Sequence, residues 1–190
     1  MSRRMNDSPS RAALAAFGAA SMLLATVPAQ AADPGQLPCP ADRLGAAERA
    51  QVVAHLRDRA AREDARFAPL ERAIAACTER HGWSERTAEL AVMHTLSALG
   101  QAEYRRDLAG RGVDVAPVEQ AILADQALIR ASVDGSFPEA EFEALVTRLQ
   151  PTIEGIVEAQ ASPEEVGSEL GLFIAFRTMM EATRLGFAAS

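Results

Sequence analysis

Ser162-Pro-Glu-Glu-Val-Gly-Ser-Glu-Leu-Gly-Leu-Phe-Ile-Ala-Phe-Arg-Thr-Met-Met-Glu-Ala-Thr-Arg-Leu185 is the stretch that decides the fold class. Ser162 offers an N-cap, Pro163 takes the first helical position, where its missing N–H costs nothing, and Glu165 has capping-box spacing. Wound at about 100° per residue, the stretch gathers Val166, Leu170, Leu172, Phe173, Phe176, Met179 and Met180 on one broad bulky face. Gly167, Gly171, Ala175, Thr178, Ala182 and Gly186 form a second face that is uniformly small. A helix with two such faces belongs at the centre of a bundle, bulky toward the core and small toward one close neighbour. The sharper reading of Gly167, Gly171, Ala175 and Ala182 is a homodimer seam.

The same period recurs upstream. A helix near 138–160 carries Phe142, Leu145, Val146, Leu149, Ile153, Ile156 and Val157 in one stripe, which Pro151 should kink or divide. Ser136 and Glu139 repeat the capping-box spacing at its start. Further helical segments fall near 46–62, 66–81, 85–109 and 116–133, punctuated by Gly82, Ser84, Gly110, Gly112 and Gly135. No run of alternating β-branched residues lies between them. Composition agrees, since 40 residues are Ala, all 19 basic residues are Arg, and only 5% are aromatic. The expected fold is an all-α, single-domain bundle of five to six helices over residues 46–190.

The amino-terminal part reads as an address. Arg3, Arg4 and Arg11 precede an apolar run from Ala12 to Val27, which breaks at Pro28 and ends in Ala29-Gln-Ala31. That is the layout of a secretory signal cleaved after Ala31. Its sixteen apolar-to-small residues are short for a span of about 20. Cleavage leaves 159 residues with 16 Arg against 25 acids, a net charge of −9, and no second run long enough to cross a membrane. So acidic a chain, without a basic cluster, is a poor partner for nucleic acid or anionic lipid. The expected location is periplasmic or secreted.

Cys39 and Cys77 are the only cysteines. In an oxidising compartment an even pair predicts one disulfide, here tying an irregular leader (32–45) to a helix. Their spacing lacks Cys-x-x-Cys and has no histidine at zinc-like distance.

Few residues suggest chemistry. Asp125 falls inside the apolar arc formed by Val118, Ala121, Ile122, Leu128 and Ile129, so it needs a partner. Arg177, flanked by Phe173, Ile174, Phe176 and Met180, is the expected one, as a buried ion pair or a ligand contact. His55, His81 and His94 fall on different segments, which gives no metal pattern, and no cofactor is implied. Trp83, just before the Ser84 cap, reads as a packing staple against Ala88. No nucleophile elbow, phosphate loop, zinc-protease or dinucleotide motif occurs. The expected function is therefore an interaction or structural role in the cell envelope, with an unidentified protein partner or a homodimer, rather than catalysis. The alternative is a small-ligand-binding bundle, with an apolar pocket between the fifth and last predicted helices.

Overall fold

Asp33 accepts a hydrogen bond from the Gly35 amide at 2.9 Å and so caps a 3-10 turn over Pro34–Gln36. From there a computed structural model describes residues 32–57, 67–133 and 139–190. The signal-like segment and the Ser136 capping site lie outside the described residues. Helices follow in the order α1 (Cys39–Arg43), α2 (Ala46–Arg57), α3 (Ala68–His81) and α4 (Glu85–Gly110). They continue with α5 (Ala116–Ala124), α6 (Gln126–Ala131), α7 (Glu139–Glu158) and α8 (Pro163–Ala188). The described residues contain no strand, and they form a single all-helical domain.

Eight α-helices among the described residues correct the expected five to six. One addition lies in the leader, expected to be irregular. Pro38 and Pro40 fix φ near helical values as α1 begins, and Arg49 Nη2 donates to the Ala41 carbonyl at 2.8 Å as it ends. The other comes from a break at Asp125, whose ψ of 73° is not helical. Its carboxylate accepts from the Leu128 amide at 3.1 Å and caps α6, so the segment 116–133 becomes two helices. Pro151, by contrast, does not divide α7.

Helix ends follow local chemistry closely. Gly82 adopts φ 67° and donates its N–H to the Thr78 carbonyl at 2.8 Å, which stops α3 in the left-handed conformation glycine tolerates. Ser84 then caps α4, accepting from the Thr87 amide at 3.1 Å. At α8 the expectation fails in detail. Pro163 does begin the helix, but the Ser162 hydroxyl makes no capping bond, and Glu165 accepts from Arg111 Nη1 at 2.9 Å instead.

α4 and α8 share the most extensive contact of any helix pair and run antiparallel through two apolar clusters. The first cluster joins Leu37 and Leu44 of the leader, Val52, Leu70, Ile74, Cys77 and the start of α4 to Phe187, near the end of α8. The second joins the end of α4, α5, α6 and α7 to Val166, Leu170 and Phe173 in the first half of α8. Phe173 and Phe187 are fully inaccessible, each burial worth about 2–3 kcal/mol relative to exposure. Gly100 lets the two long helices approach, because the Phe176 ring lies where a side chain would otherwise stand. That ring also stacks on Tyr104, with centroids 5.9 Å apart.

Candidate functional site

The most charged part of the interior lies where α4, α5 and α8 meet. Arg177 is only 9% exposed. Its Nε donates to Glu119 Oε1 at 3.1 Å and its Nη1 to Glu181 Oε1 at 2.6 Å. Arg105 also pairs with Glu119, and its guanidinium sits 5.7 Å from the centroid of the Phe173 ring. Arg184 Nε donates to Glu181 Oε2 at 2.9 Å. Burial opposes ionisation of Glu181, but hydrogen bonds and charge from Arg177 and Arg184 prevail and hold its carboxyl below the usual value. Both oxygens are engaged by guanidiniums, which holds Glu181 as an ionised, structural carboxylate. The network braces α5 against the α4–α8 pair.

Asp125 and Arg177 are therefore not brought together as a pair. Arg177 has taken Glu119 and Glu181, one on the facing helix and one a turn along its own. Asp125 pairs with Arg148 of α7 while capping α6. Its side chain is only 10% exposed and is ion-paired, as the apolar arc around it implied, but the partner is Arg148 and not Arg177, because the helix breaks at this residue. The Asp125–Arg148 pair lies on the wall of an open groove of about 440 Å³ between α5, α6 and α7, with Ala121, Ala144, Leu145 and Leu149.

The small face of α8 divides in two. Thr178, Ala182 and Gly186 are buried, and at Gly186 the Val133 carbonyl oxygen comes within 2.6 Å of where a Cβ would stand. Gly167 and Gly171 meet nothing within 4 Å of that position, and Ala175 is partly exposed. Close packing thus falls at one end of the stripe and at Gly100 on α4, a glycine the periodicity of α8 gives no means of finding.

Each histidine has its own local partner. His94 Nδ1 lies 3.2 Å from the Met180 carbonyl oxygen and 3.2 Å from Thr183 Oγ1, and burial pushes its pKa down despite that bond and the nearby Glu181. His55 meets the Phe67 ring edge-on, with centroids 4.2 Å apart. His81 stacks on Trp83 at 5.5 Å. Trp83 packs edge-on against Phe187 and donates from Nε1 to Gln36 Oε1 at 2.9 Å, which ties the leader to the end of α8. No group of three or more His, Cys, Asp or Glu able to hold a metal ion occurs among the described residues.

Cys39 and Cys77 form the disulfide, with Cα atoms 6.2 Å apart. Beside it lies a polar groove of about 560 Å³. A third groove, of about 480 Å³, runs between α3 and α4 and is apolar, with Leu70 and Ile74 as its floor and Phe67, Ala75, Val92 and Leu96 as its walls. Glu71 is the one ionisable residue in its lining. All three grooves open to solvent, and none of them lies between α7 and α8. No helix among the described residues is long and apolar enough to cross a membrane. Set against family models, curated proteins and solved structures, the chain finds no match.

Proposed function

We propose that the protein is exported to the cell envelope and works there by docking an amphipathic helix of another protein, without catalysing a reaction. The observation that carries the reading is the open apolar groove between α3 and α4. Leu70 and Ile74 on one helix and Val92 and Leu96 on the other stand four residues apart, so the groove presents apolar rows at helical spacing. An apolar stripe at i, i+3, i+4 and i+7 is the complement of such a surface. Charge selects among occupants. The chain is acidic, and Glu71 stands at the lip, so a second copy would set acid against acid. A stripe flanked by basic residues is favoured.

Support for export comes from the basic start, the apolar run and the Ala29-Gln-Ala31 triplet. The Cys39–Cys77 bond belongs to an oxidising compartment in the same way. The test uses two synthetic amphipathic peptides with identical leucine stripes, one flanked by lysine and one by glutamate. Fluorescence anisotropy with protein purified from the envelope should show binding of the lysine peptide alone. Ala75→Arg, at an exposed position on the groove wall, should weaken that binding at least tenfold, which corresponds to about 1.4 kcal/mol. Equal affinity for both peptides, or an unchanged affinity in Ala75→Arg, refutes the reading. So does a self-associated protein in light scattering whose groove is closed to both peptides.

A further inference from the structure

The two sulfurs of the disulfide are not equivalent. Cys77 is completely buried in the apolar cluster beneath α3. Cys39 is partly exposed and lines the polar groove, together with Asp33, Asp42, Arg43, Arg80 and His81. Thiol–disulfide exchange requires a thiolate to reach one sulfur, and only Cys39 stands on a wall open to solvent. Charge in the groove is also uncommitted. Arg177, Arg148 and Arg111 are each held by a carboxylate, whereas Arg43 and Arg80 are exposed and make no ion pair among the described residues. Asp33 and Asp42 balance their charge, but Asp33 is engaged by the Gly35 amide, so the two guanidiniums that share the groove with Cys39 are open to a carboxylate of an incoming nucleophile.

We propose that this groove is an exchange site, in which a small carboxylate-bearing thiol attacks Cys39 Sγ. The incoming thiolate sulfur forms a bond to Cys39 Sγ as the Cys39–Cys77 bond breaks. The electron pair leaves with Cys77 Sγ, which takes up a proton and becomes a thiol. The incoming thiol is oxidised to a mixed disulfide and Cys77 is reduced. A second molecule of the same thiol then attacks the sulfur of the captured one. The bond to Cys39 Sγ breaks with its electron pair going to Cys39, which takes up a proton, and the two small thiols leave as their symmetrical disulfide. Folding survives the capture because the leader has other anchors. Leu37 and Leu44 are 2% and 3% exposed, and Gln36 remains bonded to Trp83.

The experiment treats the oxidised protein with reduced glutathione, which carries two carboxylates, or with cysteamine, which carries none. Acid quenching and peptide mapping locate the adduct, and circular dichroism follows the fold. Comparing each thiol across protein variants cancels its intrinsic nucleophilicity. The expected adduct is on Cys39, formed while the helical signal is intact. In Arg43→Gln/Arg80→Gln, two exposed substitutions that leave the core untouched, the glutathione rate should fall about threefold to tenfold. The cysteamine rate should hold or rise. An adduct on Cys77 overturns the proposal, as does reaction only after helicity is lost. Equal slowing of both thiols, or of neither, overturns the carboxylate recognition.

Discussion

An alanine at position 186 would set its methyl carbon 2.6 Å from the Val133 carbonyl oxygen and 3.3 Å from side-chain carbons of Leu90 and Val133. The obstacle at 2.6 Å is backbone, so relief requires α8 to move from the turn that follows α6. Overpacking of this kind costs about 1–3 kcal/mol. It is opposed by at most about 1 kcal/mol gained from replacing glycine within a helix. Gly186→Ala should therefore destabilise the protein by about 1–2 kcal/mol, the strain less the propensity gain. Gly171 lies on the same helix, and a Cβ there meets nothing within 4 Å. Gly171→Ala keeps the propensity gain without the clash and should stabilise by about 0.5–1 kcal/mol. Urea unfolding followed at 222 nm separates the two, since the opposite shifts should part the midpoints by roughly 1 M at an ordinary slope. Midpoints that move in the same direction, or a Gly186→Ala protein more stable than the parent, would refute the packing assigned to this end of α8.

Other outcomes follow from the polar groups. His94 has a lowered pKa in the folded protein, so unfolding takes up a proton on acidification, and stability should fall as pH drops below about 6.5. The fall should level off below the folded pKa and be smaller in His94→Gln, measured by urea midpoints across pH 7.5 to 5. Asp125→Ala removes the cap of α6 and should cost about 1 kcal/mol by thermal melting, with little added by the loss of Arg148, which is 57% exposed. Cys77→Ser opens a loop between residues 38 apart, and chain entropy puts that loss at about 4 kcal/mol in denaturant titration.

What the sequence made legible were features governed by one helix or one turn. Gly82 and Ser84 stop and restart the chain by local hydrogen bonds, and α3 and α4 end and begin beside them. Pro163 marks the start of α8 for the same reason. The disulfide needed only that the chain has two cysteines and that its start reads as an export signal. Readings that depended on neighbours fared differently. The Asp125 side chain is largely buried and paired as expected, but with Arg148 in place of Arg177, because the break at this residue changes which side chains surround it. Arg177 was rightly suspected of needing an acid, and Glu181 carries a readable signal, the i, i+4 spacing that sets it beside Arg177 on one helix face. Glu119 lies 58 residues away, and nothing in the sequence singles it out.

The grooves were the least legible features. Leu70 and Ile74 are buried while Val92 and Leu96 are half-buried, and periodicity cannot tell which edge of an apolar stripe stays uncovered. Gly100 carried a usable signal, since glycine inside a helix is costly and implies a packing reason. Its partner Phe176, however, is set by how α4 and α8 cross. Arg43 and Arg80 line one groove with Cys39, and Arg43 and Cys39 both belong to α1, where an irregular segment was expected.

The most direct measurement is the intact mass of the protein isolated, without reductant, from the envelope fraction of its own cells, combined with titration of free thiols. The predicted result is a chain beginning at Ala32 with no reactive thiol. A full-length chain recovered from inside the cell, still carrying residues 1–31 and with both cysteines reduced, would contradict it.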